Sequence, residues 1–237
     1  MNDKEVKEKP HYLGHRMRLR ERFLKDEGKS MADYELLELL LTIAIPRRDV
    51  KQKAKDLLNH FGSFNKVITA SQNSLSSYGL SENVITILKV IRASAIKLSW
   101  QELNEQNEPI LSNFDYMIDY CRTAMSYLDV EEFRVIFLDA KLKIIKEETM
   151  QRGSVNSVSV HPREVLKAAI QHNATSVILL HNHPSGKTQP STKDLEVTKQ
   201  IIDALKPVDI NVNDHIIITQ NGYYSFLEEG ILQRLKK

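Results

Sequence analysis

The chain has 237 residues, 41% of them hydrophobic and 27% charged, with a formal net charge of +2. That composition supplies a sizeable core in one large domain or two small ones, and leaves any nucleic-acid binding to a local patch. No apolar stretch approaches the ~18 residues of a membrane span, and residues 1–10 are charged rather than signal-like, so a cytoplasmic protein is expected.

Residues 14–29, with Leu13 just before them, set His15, Arg16, Arg18, Arg20 and Arg22 among Met17, Leu19, Phe23 and Leu24. This predicts a helix with Arg16/Arg20 and Arg18/Arg22 at i, i+4 spacing. Such a basic row either grips phosphates or is a solvated face paired with nearby acids. A second helix is expected to start with Asp33 as N-cap and to run through the leucines at 36, 37 and 39–41 until Pro46 stops it. A third spans about 49–60 with Gly62 as its stop, and a short fourth spans 64–70. Residues 75–81 then read as a hairpin before a long helix that carries Val84, Leu88, Ile91 and Ala95 on one face.

The polar, acidic run between Trp100 and Pro109 has little to bury, which places a domain boundary there. The expected division is a helical domain over 1–103, a linker over 104–111 and an α/β domain over 112–237. In the second part Ser112 is the expected cap of a helix to about residue 128. On that helix the single cysteine, Cys121, is read as a small buried hydrophobe; it can form no internal disulfide. Strands follow at 133–139, 143–150 and 155–160, then a helix opened by Pro162. Ile216-Ile217-Ile218 and Tyr223-Tyr224-Ser225-Phe226 form further strands around the turn Asn221-Gly222. Strands interleaved with helices predict an α/β sandwich around a mixed sheet.

The most informative stretch is Val177-Ile178-Leu179-Leu180, then His181-Asn182-His183-Pro184-Ser185-Gly186, then Pro190-Ser191 and Asp194. An apolar run bounded by Pro and Gly reads as a buried strand, whose alternation sends His181 and His183 to one face. Ser191 caps the next helix, with Leu195, Thr198, Ile201, Ile202 and Leu205 at helical spacing and Asp194 in its first turn. Two imidazoles and a carboxylate make a three-ligand zinc site with a fourth position open, the arrangement of catalytic zinc. Each part has a plainer meaning: a lone histidine beside a strand is usually a satisfied core group, and Ser191 with Asp194 is also a capping box.

His-x-His, ten residues, Asp, with Ser three before the Asp, closely resembles the JAMM (MPN-plus) metalloprotease signature. His-Asn-His-Pro-Ser-Gly followed by Pro-Ser-x-x-Asp resembles the bacterial RadC family more narrowly. The resemblance implies an MPN/JAB-like second domain in which zinc, held by His181, His183 and Asp194, serves the cleavage of a peptide or isopeptide bond. It further implies Glu131 as general acid/base, because that glutamate generally stands two before the Phe of the first strand. Glu132, on the opposite face, is then expected to be solvated. Ser191 is the candidate to hydrogen-bond the water or the developing oxyanion. His161, His172 and His215 are expected to be structural, with Asp214-His215 supporting the site from behind.

Residues 33–95 resemble the helix-hairpin-helix module of RadC-like proteins, with Ser81 in place of the second hairpin glycine, where a side chain hinders close approach of a phosphate. The competing function is therefore a DNA-associated, repair-linked protein whose metal site is structural or vestigial. A zinc deaminase is excluded because its Pro-Cys-x-x-Cys needs two cysteines, and the zincin His-Glu-x-x-His is absent. His-Asn-His at three consecutive positions does not make an HNH nuclease, whose residues are spread over a hairpin and helix.

Overall fold

A computed structural model describes residues 11–105, 109–153 and 160–237. The chain divides into two compact units, 1–93 and 94–237, with the division inside one long helix. The first unit is helical: α1 (His11–Asp26), α2 (Asp33–Ala44), α3 (Lys51–Phe61), α4 (Phe64–Thr69), α5 (Gln72–Ser77) and the first half of α6 (Glu82–Glu105). Leu37, Leu41, Leu57, Val67, Leu75 and Leu88 form its core.

Local chemistry explains where these helices begin and end, with two departures from expectation. Ala32, not Asp33, is the extended residue before α2. Asp33 lies in the first turn, and the Glu35 carboxylate accepts the Ala32 N–H at 3.1 Å. The expected hairpin at 75–81 is the end of α5 followed by a turn in which Gly79 takes a φ of +89°. Gly62 ends α3 in the left-handed conformation, as its position suggested. In the basic row, Arg16 donates to the carbonyls of Ile45, at 3.1 Å, and Arg48. Arg22 pairs with both carboxylate oxygens of Glu35 at 2.7 and 3.0 Å. These two arginines tie α1 to α2 and to the loop after it.

The second unit is a five-stranded mixed sheet in the order β2-β1-β3-β4-β5. The strands are β1 (Glu131–Leu138), β2 (Ile144–Gly153), β3 (Ser176–Asn182), β4 (Asn211–Thr219) and β5 (Gly222–Ser225). Only β3 and β4 run parallel, and α9 (Thr192–Leu205) connects them. Helices cover both faces, so β3 is buried at every position and reads as a continuous apolar run. Phe133, Val135, Phe137, Val177 and Leu179 face α8 (Pro162–Gln171), α9 and α10 (Ile231–Leu235). Ile136, Leu138, Ile178, Leu180 and Ile216 face α7 (Phe114–Met125). Cys121 is fully buried on α7, where desolvation pushes its thiol well above the ordinary value. Asn113, not Ser112, precedes α7, because Ser112 lies inside a 3₁₀ turn over Ile110–Asn113. Apart from Val160, the strand expected at 155–160 lies outside the described residues. No helix among the described residues is long and apolar enough to cross a membrane.

α6 does not stop near Trp100. It continues to Glu105, and Leu103 is buried with Met117, Ile118 and Cys121 while Trp100 packs on Tyr120 with ring centroids 4.9 Å apart. The polar run hides these two apolar residues at helical spacing, which bind the last turns of α6 to the second unit's core. Leu103→Ala should therefore lower that unit's stability by about 2–3 kcal/mol. Urea unfolding followed by the fluorescence of Trp100, the only tryptophan, measures this. An unchanged midpoint would show that the turn is not part of the core.

Candidate metal centre

The site forms where the start of β1 meets the end of β3. Antiparallel pairing places Phe133 opposite His181, so Glu131 lies beside the end of β3. Alternation puts Glu131 on the same face as Phe133 and His181, and Glu132 on the other. A Glu131 carboxylate oxygen accepts a hydrogen bond from His181 Nε2. Ligand atoms of Glu131, His181 and His183 all lie within 4.8 Å of one another.

Asp194 closes the cluster from the first turn of α9. The expected capping box is present: the Asp194 N–H donates to Ser191 Oγ at 3.2 Å, and the Ser191 N–H donates to Asp194 Oδ2 at 2.6 Å. This reciprocal pair aims the carboxylate back at the strand end, 3.4 Å from His181 Nδ1 and 3.4 Å from His183 Nε2. Burial works to raise the Asp194 pKa. The contacts to His183, His181 and Ser191 outweigh it and hold the carboxyl well below its usual range. For His183, burial is likewise outweighed, by Asp194 and by the Lys187 carbonyl, and its pKa is raised.

Two observations bear on whether these groups suit a metal. A carbonyl can only accept, so the 2.7 Å contact from His183 Nδ1 to the Lys187 oxygen places a ring hydrogen on Nδ1 and turns Nε2 toward the cluster, 3.4 Å from Asp194 Oδ2. His181 Nδ1 is buried and has no hydrogen-bond partner. Two imidazoles and two carboxylates, with one buried imidazole nitrogen lacking a partner and another turned toward the cluster, are a donor set that suits zinc or a similar divalent ion.

The structure thus gathers Glu131, His181, His183, Ser191 and Asp194, and corrects the reading of Glu132. That carboxylate is only 5% exposed. Arg134, at 2.7 Å, and Arg152, at 3.2 Å, hold it on the opposite face of β1, and Arg134 also reaches Glu147 at 3.2 Å. Glu147 in turn receives the Tyr120 hydroxyl. His172 pairs with Glu148 at 2.8 Å, away from the cluster. His215 is fully buried behind it; Thr198 Oγ donates to the Asp194 carbonyl and accepts from His215 Nδ1 at 2.7 Å. Burial, with His181 nearby, keeps the His215 pKa well below its ordinary value.

Sequence reasoning gave no role at the site to Thr198 or to two asparagines. Asn221 Nδ2 donates to the Gly186 carbonyl at 3.0 Å and anchors the loop after β3. Asn182, 1% exposed, bonds to the backbone of Val130 and Glu132. The partners of both asparagines are more than 30 residues away in sequence, so no local pattern announces them.

A family profile described as "RadC-like JAB domain" matches residues 111–231. The chain is also 43% identical over 225 residues to a UPF0758 protein of Ruegeria pomeroyi, an alignment that covers 94% of this chain and all of the relative.

Behind the site, the buried Asp214 carboxylate accepts from Ser225 Oγ at 2.6 Å and from the amides of His215 and Leu227 at 2.7 and 2.9 Å. Burial nevertheless pushes its pKa up to about 6. Because the folded carboxyl holds its proton more tightly than the unfolded one, at ~3.9, its contribution to stability is fully present below pH ~4 and is lost as pH rises through 6. Between pH 4 and pH 7 the wild type should lose on the order of 2–3 kcal/mol that Asp214→Asn does not lose. Urea unfolding of both proteins at the two pH values tests this. Parallel pH profiles would contradict it.

Proposed function

Because the chain belongs to the RadC family, we propose that it is a zinc-dependent hydrolase of the JAMM metallopeptidase type, acting on a peptide or isopeptide bond of a protein substrate. The JAB-like domain and the grouped Glu131, His181 and His183 are compatible with a metal-dependent hydrolase. The observation that carries the finer reading is the convergence of two carboxylates on an imidazole pair, one member of which is held with its Nε2 turned toward the cluster.

In this reading His181, His183 and Asp194 hold the zinc. When bound, zinc supplies Lewis acidity toward water and toward the scissile carbonyl. Glu131 takes a proton on its carboxylate and passes it to the leaving amine, a step that needs a group fixed beside the reacting atoms. Ser191 Oγ already accepts from the Asp194 amide, so its own hydrogen remains available to a developing oxyanion. The capping and catalytic roles of Ser191 are therefore compatible. The buried wall formed by Phe133, His215 and Phe226 excludes water from the back of the site.

The test couples metal content to hydrolysis. Purified without chelators, the protein should carry about one zinc per chain and lose it in His183→Ala. Glu131→Gln should keep fold and zinc while cleavage of a peptide library falls by roughly 10²–10⁴. A zinc-loaded wild type that cleaves no peptide but binds DNA in a salt-dependent way, lost when Arg18 and Arg20 are replaced, would instead favour the DNA-associated function.

A further inference from the structure

The β1–β3 ladder ends at Phe133 opposite His181, two residues short of Glu131. At that point the Asn182 side chain takes over from the strand. Its carbonyl oxygen accepts the Glu132 N–H at 2.7 Å, and its amide nitrogen donates to the Val130 carbonyl at 3.0 Å. The Val130 carbonyl and the Glu132 N–H belong to the two peptide groups on either side of the Glu131 α-carbon, so one side chain bonds both of them, on the edge of β1 away from the β2 ladder that pairs Glu131 with Gly153. A backbone N–H only donates and a carbonyl only accepts, which settles which end of the amide faces which partner. The chemistry required is a primary amide: a carboxylate at this place would set an acceptor against the Val130 carbonyl, and an alanine would leave both peptide groups without this partner.

We propose that Asn182 is a positioning residue for Glu131, aiming its carboxylate at His181 by clamping the two peptide groups of Glu131. The proposal rests on the reading of Glu131 as the acid/base of the site, but the clamp itself is a property of the metal-free chain. It also accounts for a buried asparagine between two histidines, where an apolar residue would otherwise suit the α7 side of the sheet.

Two measurements test the clamp. In metal-free protein the ring nitrogen NMR signals of His181 report its bond to Glu131, and Glu131→Gln calibrates the change when the carboxylate is lost. Asn182→Ala and the isosteric Asn182→Asp should both move the His181 signals toward those of Glu131→Gln and leave those of His172 in place. Zinc affinity, read by competition with a chelator, should fall about tenfold for Asn182→Ala in the wild-type background. It should fall less than about twofold in the Glu131→Gln background, where nothing remains to be aimed. Folded Asn182 variants with wild-type His181 signals, or an equal loss of affinity in both backgrounds, would overturn the proposal. If Asn182→Ala does not fold, Asn182→Asp decides both measurements. A wild type that binds no zinc would overturn the zinc reading, and the His181 signals would then decide the clamp alone.

Discussion

The pairing of β3 with β1 on one edge and β4 on the other is the constraint on which the site depends. β3 is buried along its whole length, so its register cannot slip without driving apolar side chains to the wrong face. The same register sets His181 beside Phe133 and leaves His183 just past the strand end, where its N–H still extends the ladder to the Ile218 carbonyl at 3.0 Å. Antiparallel β1 brings its first residue, Glu131, to that end. The parallel connection to β4 through α9 brings the first turn of α9, with Asp194, to the same place. Three separate segments thus deliver their polar groups to one corner of the sheet.

Two carboxylates close to the same imidazole pair repel each other, and desolvation makes that repulsion costlier. The chain offsets it locally, through the capping amide of Ser191 on Asp194 and the imidazole contacts of both acids. Adjacent Glu132 meets the same difficulty in a different way. It is as buried as Asp194, but two arginines hold it on the α7 side of β1. Alternation along β1 separates the roles of the two glutamates: one carboxylate is matched by fixed cations and the other faces the cluster. Exchanging their environments would require a one-residue slip of β1 against the whole sheet.

The motif around β3 was legible because its parts are local: a strand of seven residues, a loop punctuated by Pro184, Gly186 and Pro190, and a capping box one helical turn long. The mixed sheet and most helix ends were legible for the same reason. Glu131 came from resemblance to a family rather than from spacing, since it stands 50 residues before His181. The burial of Glu132 could not be read, because Arg152 and Glu147 reach it or its partner only through the β1–β2 register. The continuation of α6 was obscured by composition: two apolar residues in a polar run decide the matter, and only tertiary packing shows that Trp100 and Leu103 are used. Ser112 and Asp33 were reasonable caps by residue type, but neighbouring residues took those positions.

The state of His183 also depends on a segment that looks dispensable. Its Nδ1 hydrogen is held by the Lys187 carbonyl, and Lys187 follows Gly186, whose left-handed φ of +79° turns the loop back toward the strand end. A Cβ at Gly186 would meet Asn221 Nδ2 at 3.0 Å, the group that holds this loop through the Gly186 carbonyl. The anchor therefore lies on the β4–β5 turn, outside the motif altogether. A loop held only by its own sequence would leave Nδ1 without a fixed acceptor and the imidazole free to turn Nε2 away from the cluster. Tying the loop to the sheet removes that freedom through an uncharged amide.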